Sequence, residues 1–400
     1  MSAPKGWSWA VLGDLVEVNR ETLSEACDPK REFYYLDLGC IEEGRISLPT
    51  SRITFREAPL RARRLFETGD VLMAAVRPQL GGHGYVGFHA KAYVCSTGFA
   101  VLHPRKGVLG RFVFQTLFSP WTRRQYGWLT AGSSYPALNP TQVAELEVLA
   151  PPGPEQEKIA EILDCWDAAI VKIEGRGRLA KERKVGLMQA LLSGRRTFPE
   201  LRGQRWRSVR VGALLEERDR YVEWSDDERY RFASIRRRSG GLFDRGTFFG
   251  REVKTKVLKL LKAGDFVISK RQVVHGAWAM VTKAFEGFGV SDEYDVLVNR
   301  DPTVLDMRFF NYLSQTRRLW HMAYLASNGV HIEKLIFDFD DFAKEKIKIP
   351  ASLAEQARIA DVLEACDRET ELLEKQLAAL KEQKRGLMQK LLTGEVRVKC

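Results

Sequence analysis

Apolar residues near the end of the chain recur at alternating intervals of four and three. Ile359, Leu363, Cys366, Thr370, Leu373, Leu377, Leu380, Lys384, Leu387 and Leu391 share this phase, which predicts the a/d seam of a coiled-coil helix. Ile159, Leu163, Trp166, Ile170, Ile173, Gly177, Ala180, Lys184, Leu187 and Leu191 repeat it. The stretches 155–194 and 355–394 align without a gap at an offset of 200 in a chain of 400, with 17 of 40 positions identical. A self-match at a fixed period decides architecture before any local motif does, so the chain reads as two tandem halves. Ser352 and Glu355 have capping-box spacing, Pro154 suits a first helical position, and Gly194 and Gly394 suit helix stops. About 40 helical residues would span roughly 60 Å. That is too long for the core of a small domain, so each seam needs a partner, and the nearest is the other copy. Gly175 and Gly177 each weaken the first helix by about 1 kcal/mol relative to Ala and mark where it would bend.

The segments before the helices match more faintly. Trp7, Leu12-Gly-Asp-Leu15 and Glu17 correspond to Trp206, Val211-Gly-Ala-Leu214 and Glu216, and Gly69-Asp-Val-Leu72 corresponds to Gly264-Asp-Phe-Val267. A Gly-Asp turn followed by apolar and β-branched residues predicts a tight turn into a buried strand. Each segment therefore reads as one mixed domain, with strands near 34–38, 71–76, 84–88 and 99–102 and their second-half counterparts, and helices at 108–119 and 304–316. The fold class is α+β: two mixed α/β domains separated by two long helices forming an antiparallel coiled coil, a pseudo-twofold internal repeat. The boundaries are 1–150, 151–200, 201–350 and 351–400. Pro151-Pro-Gly-Pro154 and Ser193-Gly-Arg-Arg-Thr-Phe-Pro199 are the hinges.

Charge changes the picture once it is divided. The net charge of +11 arises from 17 basic against 14 acidic residues in 1–150, 9 against 8 in 151–200, 28 against 21 in 201–350 and 9 against 9 in 351–400. The domains carry the excess and the helices are nearly neutral, as expected if the domains meet a polyanion and the helices meet protein. No apolar run approaches a membrane span and the N-terminus lacks an apolar signal core. The six cysteines show no CxxC or Cys/His spacing, which argues against zinc and against a disulfide framework. A cytoplasmic location and no metal are expected.

Leu387-Met-Gln-Lys-Leu-Leu-Thr-Gly-Glu-Val-Arg397, its twin Leu187-Met-Gln-Ala-Leu-Leu-Ser-Gly194, and the Glu-Gln-x-x-Ile-Ala-x-x-Leu openings at 155 and 355 resemble the two conserved regions of the DNA-specificity subunit of type I restriction–modification systems. The resemblance covers the whole chain in layout. It implies that 1–150 and 201–350 are target recognition domains, each reading half of a split, asymmetric site on double-stranded DNA. It also implies that the helices are an antiparallel spacer holding two methyltransferase subunits, which restriction or translocase subunits can join. The expected chain has no chemistry of its own: no catalytic residue and no cofactor, with S-adenosylmethionine and adenine methylation belonging to the partner. Leu187, Met188, Leu191, Leu192, Leu387, Met388, Leu391 and Leu392 are the expected subunit-binding residues.

The residues agree with that absence. Asn139-Pro140 is followed by Thr141 and not by the second proline of an adenine-methyltransferase motif; Gly81-Gly-His-Gly84 resembles a turn, and no Walker A pattern occurs. Asp338, Asp340, Asp341, Glu345 and Lys346 read as solvated surface charge. A stand-alone nuclease or methyltransferase with an unfamiliar motif is the alternative, and a scaffold binding only proteins is a third reading.

Side chains that read base edges must project from loops on a rigid frame. After the first Gly-Asp strand lie Arg77, Gln79, His83 and Tyr85; after the second lie Lys270, Arg271, Gln272, His275 and Trp278. A second pair of candidates comprises Ser133, Ser134 and Tyr135 in one half and Asn328 and His331 in the other. Arg236-Arg-Arg238 reads equally as a solvated face or a phosphate clamp, and Trp121, Trp128 and Trp320 read as core.

Overall fold

The computed structural model describes residues 3–131, 136–203 and 205–399. The chain divides into two compact units, Met1–Gly175 with Lys375–Cys400, and Arg176–Glu374. Two long helices, Gly153–Leu191 and Leu353–Leu392, each contribute one end to each unit. Gly175 and Gly177 stay helical.

Each unit is built on the same four-stranded sheet. In the first unit its strands are β1 (Val16–Val18), β2 (Val71–Ala74), β3 (Gly84–Tyr85) and β4 (Phe99–Pro104), in the order β1-β4-β2-β3. In the second they are β5 (Leu215–Glu217), β6 (Phe266–Ser269), β7 (Trp278–Met280) and β8 (Tyr294–Asn299), in the order β5-β8-β6-β7. The predicted strand after each Gly-Asp is present, buried at every residue. Side chains alternate across a strand, so Val71 and Met73 join the helical side of the core while Leu72 and Ala74 pack on the opposite face with Leu36, Phe66 and Val86. Phe266 and Ile268 separate from Val267 in the same way. Burial on both faces explains the unbroken apolar run.

The turn aspartates hold the strand entry. Glu67 N donates to Asp70 Oδ2 at 2.7 Å, and Lys262 N donates to Asp265 Oδ2 at 2.8 Å. Both carboxylates are buried and paired, Asp70 with His103 at 2.7 Å and Asp265 with Arg220 at 2.6 Å. Helices α1 (Gly110–Thr116), α2 (Pro120–Leu129), α3 (Met307–Ser314) and α4 (Arg317–Leu325) cover the outer face. The first and last strands of each domain pair antiparallel, Ser8–Val11 with Glu147–Ala150 and Trp206–Arg210 with Lys346–Pro350. The domain's two ends therefore meet where a long helix begins.

There the Glu-Gln opening of each helix docks its domain. Gln156 is buried, accepting from Leu109 N at 3.3 Å and donating to Pro151 O at 2.9 Å. Gln356, fully buried, accepts from Asp306 N at 2.9 Å and donates to Val304 O at 2.9 Å and Pro350 O at 3.0 Å. Arg111 reaches Asp164 at 2.9 Å, and Arg308 reaches Asp361 at 2.8 Å.

Within each unit the two helix ends run antiparallel. Lys384–Asp167 (2.6 Å) and Lys381–Glu174 (3.1 Å) set the direction in the first unit. Lys184–Asp367 (2.5 Å) and Lys181–Glu374 (2.7 Å) set it in the second. The seam-phase lysines Lys184 and Lys384 are thus ion-paired across the helix pair.

Replacing Gln356 by Leu leaves one amide and two carbonyls of a buried to half-buried junction without their partner, each costing about 1–3 kcal/mol where water cannot reach it. Gln356→Leu should lower the urea-unfolding free energy by about 3 kcal/mol or more, and Gln156→Leu, which orphans one amide and one carbonyl, by less.

Candidate nucleic-acid interface

The loop after β2 turns on Arg77, which is left-handed at φ 50°. Its N–H donates to Pro136 O at 2.7 Å, and Val76 bridges Ala137. A short 3-10 turn, Pro78–Leu80, ends at Gly81, φ 70°, where a side chain would be strained. Gln79 donates to Thr130 Oγ1 at 2.5 Å and so ties this loop to the end of α2. Arg77 is exposed, as is Leu80 at 76%. Ser133, Ser134 and Tyr135 lie outside the described residues.

His83 corrects the sequence reading. It is fully buried, its Nδ1 accepts from Ala74 N at 3.1 Å, and its ring packs on Phe118 and Tyr126. Burial first, then the nearby Arg123 charge, lowers its pKa to about 3, so it is a neutral acceptor that anchors the loop from beneath. Tyr85 is half-buried under the Arg111 guanidinium, 5.4 Å from the ring centroid.

In the second unit three segments converge. After β6, Arg271 is exposed and Gln272 and His275 are half-buried. Arg238 and Ser239, left-handed at φ 57° and 55°, donate their N–H groups to His275 O at 2.7 Å and Gly276 O at 2.8 Å. Gly276, φ 71°, lies so close to Trp320 that a Cβ would fall 2.6 Å from the indole. The short hairpin Ser327–Asn328 with Ile336–Phe337 joins through Phe337 N, which donates to Lys270 O at 2.9 Å. Its tip exposes Asn328, His331, Val330 (89%) and Ile332 (53%).

Two further candidates are corrected here. Trp278 is 1% exposed and belongs to the core. Lys270 is paired at 3.0 Å with Asp295, itself buried; burial raises that carboxyl's pKa and Lys270 opposes the rise. Removing the partner of a buried charge costs about 3–5 kcal/mol, which holds Lys270 in place. The Arg271–Glu293 pair at 2.5 Å is exposed and screened by solvent, so a phosphate can displace it.

The Arg236–Arg238 run, ambiguous in sequence, belongs to this cluster through left-handed Arg238 and the Ser239 that follows it; no composition signal distinguishes it from a solvated face. Trp128 is 60% exposed rather than core and packs edge to face on Trp121 at 5.7 Å. Asp338 caps a short helix by accepting from Asp341 N at 3.1 Å, and Asp341 pairs with Lys344 at 2.7 Å. Among the described residues no group of His, Cys, Asp or Glu is placed to hold a metal ion, and no helix is long and apolar enough to cross a membrane.

The expected subunit-binding residues need a different account. Leu191 and Leu192 are buried in the second unit's core, with Leu187 and Met188 packed on it. Met388, Leu391 and Leu392 are buried in the first unit, with Leu387 beside them. These side chains seat each helix end on its own domain, because the end carries the apolar residues that cover the domain's base. Among the described residues, the large apolar side chains of the two long helices that are exposed are Val171, Leu179, Val185 and Leu372.

With this geometry in hand, comparison with known proteins is decisive at the family level. The sequence matches the type I restriction modification DNA specificity domain over residues 4–181 and 225–382. The chain belongs to that family. It is 27% identical over 280 residues to the putative type I restriction enzyme MjaX specificity subunit of Methanocaldococcus jannaschii, a match spanning 66% of this chain and 62% of that protein. It is 29% identical over 118 residues to the HindI specificity subunit of Haemophilus influenzae, spanning 29% of this chain and 26% of that one. The fold is shared with the HsdS subunit of Thermoanaerobacter tengcongensis (TM-score 0.51, 22% identity, 99% of both chains). It is also shared with the type I S subunit of M. genitalium (TM-score 0.58, 12% identity, 98% of both chains).

A histidine held neutral in the fold and free to protonate when unfolded makes stability fall as pH drops from about 6.5 towards 3, by up to about 1.4 kcal/mol per pH unit. Above pH 6.5 the contribution is flat. Comparing urea unfolding of the wild type and His83→Asn across pH 5 to 8 should show a shallower acid-side slope in the variant.

Proposed function

We propose that this family member is a non-catalytic subunit that reads a bipartite, asymmetric site on double-stranded DNA and directs adenine methylation by two methyltransferase subunits. The observation that carries the reading is the repetition of one scaffold with different loops. Both domains present a loop after the Gly-Asp strand, secured by the segment beyond the following helices, and their exposed groups differ. A rigid sheet carrying loops of unlike chemistry suits two half-sites of unlike sequence. In the first domain Arg77 and Leu80 are exposed, a donor pair for guanine and an apolar contact for thymine. In the second, Arg236–Arg238, Arg271, Asn328 and His331 supply phosphate and base-edge groups.

The partner methyltransferase would hold S-adenosylmethionine, and restriction or translocase subunits would join the same assembly in the cytoplasm. Val171, Leu179, Val185 and Leu372 are the helix positions proposed to meet those partners, replacing the buried leucines.

Exchanging residues 206–348 for the equivalent segment of a relative should change one half-site and leave the other intact, as mapped by methylome sequencing with the cognate methyltransferase. Change in both, or in neither, sinks the two-domain reading. Arg77→Ala should relax the first half-site at a cost of about 1–3 kcal/mol, with Arg271→Ala acting on the second half-site alone. Unaltered methylation in both variants would mean that other loops read the bases.

A further inference from the structure

The end of each long helix meets its own domain at an equivalent junction, and the two junctions differ in chemistry. In the second unit, Met188, Leu192, Trp206, Leu319 and Trp320 line a groove of about 1020 Å³. Its counterpart in the first unit, lined by Leu392, Thr393 and the Ser119–Thr122 turn, measures about 210 Å³.

Strand register and helix caps make the comparison position by position. Trp9 pairs with Leu149 where Ser208 pairs with Lys348. Trp121 stands two residues after the cap Ser119, as Arg318 stands two after the cap Thr316. In the first unit Trp9 and Trp121 pack edge to face at 5.6 Å and narrow the cleft. In the second, a hydroxyl, a guanidinium and an ammonium replace the two indoles and the leucine, and the cleft is open.

The open groove is strongly cationic. Lys181 and Lys184 are paired with Glu374 and Asp367, and Asp367 is the one carboxylate among the described residues of the lining. Arg195, Arg238, Arg317, Arg318 and Lys348 also line it and are exposed. No ion pair engages these five among the described residues. Two donors inside it, Trp320 Nε1 and Ser239 Oγ, are buried without a hydrogen-bond partner, an arrangement that costs free energy until something fills it.

An apolar floor beneath a cationic wall selects the occupant. A small anion would leave the floor wet, and a duplex backbone has no apolar groups to place there. A polypeptide with alternating carboxylates and apolar side chains satisfies both. We infer that the second unit's helix–domain groove binds an acidic, apolar-bearing segment of a partner polypeptide, one per chain, because the first unit's counterpart is narrowed by tryptophan to about a fifth of the volume. The groove shares Arg238 with the proposed DNA contacts, and the two readings fail separately because the test contains an arm without DNA.

The probe is a fluorescein-labelled peptide alternating Glu with Leu, titrated with the full chain and followed by anisotropy, beside an oligoglutamate of equal length. The Glu-Leu peptide should bind at one site per chain, at least about tenfold more tightly than oligoglutamate. Arg318→Glu with Lys348→Glu should weaken it by at least about tenfold. Ser208→Trp with Arg318→Trp and Lys348→Leu, which copies the first unit's plug, should abolish binding. Both variants are first checked for wild-type circular dichroism and melting; the plug variant serves if charge reversal fails to fold, and charge reversal serves if the plug does. No peptide binding, equal affinity for oligoglutamate, or binding that survives the folded variant overturns the proposal. So does loss of duplex-DNA binding in a variant whose wild type ignores the peptide, because the groove would then belong to the DNA surface.

Discussion

A buried glutamine at the first turn of each long helix is the interaction on which the rest depends. Gln156 and Gln356 take up backbone groups that the domain's last strand and its α-helical layer cannot satisfy internally. An unsatisfied buried amide or carbonyl is costly, so the glutamine fixes where the helix leaves the domain. The Arg111–Asp164 and Arg308–Asp361 pairs reinforce that direction from the surface. Once the exit is set, the apolar seam of each helix end must be covered, and the end of the other long helix covers it, running antiparallel within the unit.

The same frame supports unlike details. Glu155 accepts from Trp7 Nε1 at 3.0 Å and from Arg397 Nε at 2.9 Å, whereas Glu355 at the matching position accepts from Thr197 Oγ1 at 2.8 Å. Asp70 is balanced by a histidine and Asp265 by an arginine. Each pair keeps a buried carboxylate partnered, which is the constraint, while the identity of the partner is free to drift. Exposed loop groups are under no such constraint, and there the two halves diverge most: Arg77 and Leu80 on one side, Arg238, Asn328 and Val330 on the other.

Much of this architecture is legible in sequence because it rests on periodicity. The four-three spacing marks both helices, and the buried apolar runs after Gly69-Asp70 and Gly264-Asp265 mark β2 and β6. The candidate interface was legible only as loops. His83 and Arg77 are six residues apart in a stretch of suitable composition, yet one points into Phe118 and Tyr126 and the other to solvent. Trp278 and Trp128 misled in opposite directions for the same reason: an indole serves a core or a surface equally, and the strand or helix face it occupies is decided by long-range packing. The Leu187–Leu192 and Leu387–Leu392 runs were visible as apolar, but the surface they cover was not.

By itself, then, the sequence determined what local chemistry dictates: two long amphipathic helices, two similar sheets entered through Gly-Asp turns, and an excess of positive charge confined to the domains. Only the tertiary structure decided which candidates face solvent, that Lys270 is held by buried Asp295 while Arg271 is free to exchange its partner, and that one helix–domain junction is narrowed by Trp9 and Trp121 while the other is an open cationic groove. Periodicity is a property of neighbours along the chain, whereas the direction and partner of a side chain can depend on segments more than a hundred residues away, such as Glu355 beside Thr197 and Arg397 beside Glu155.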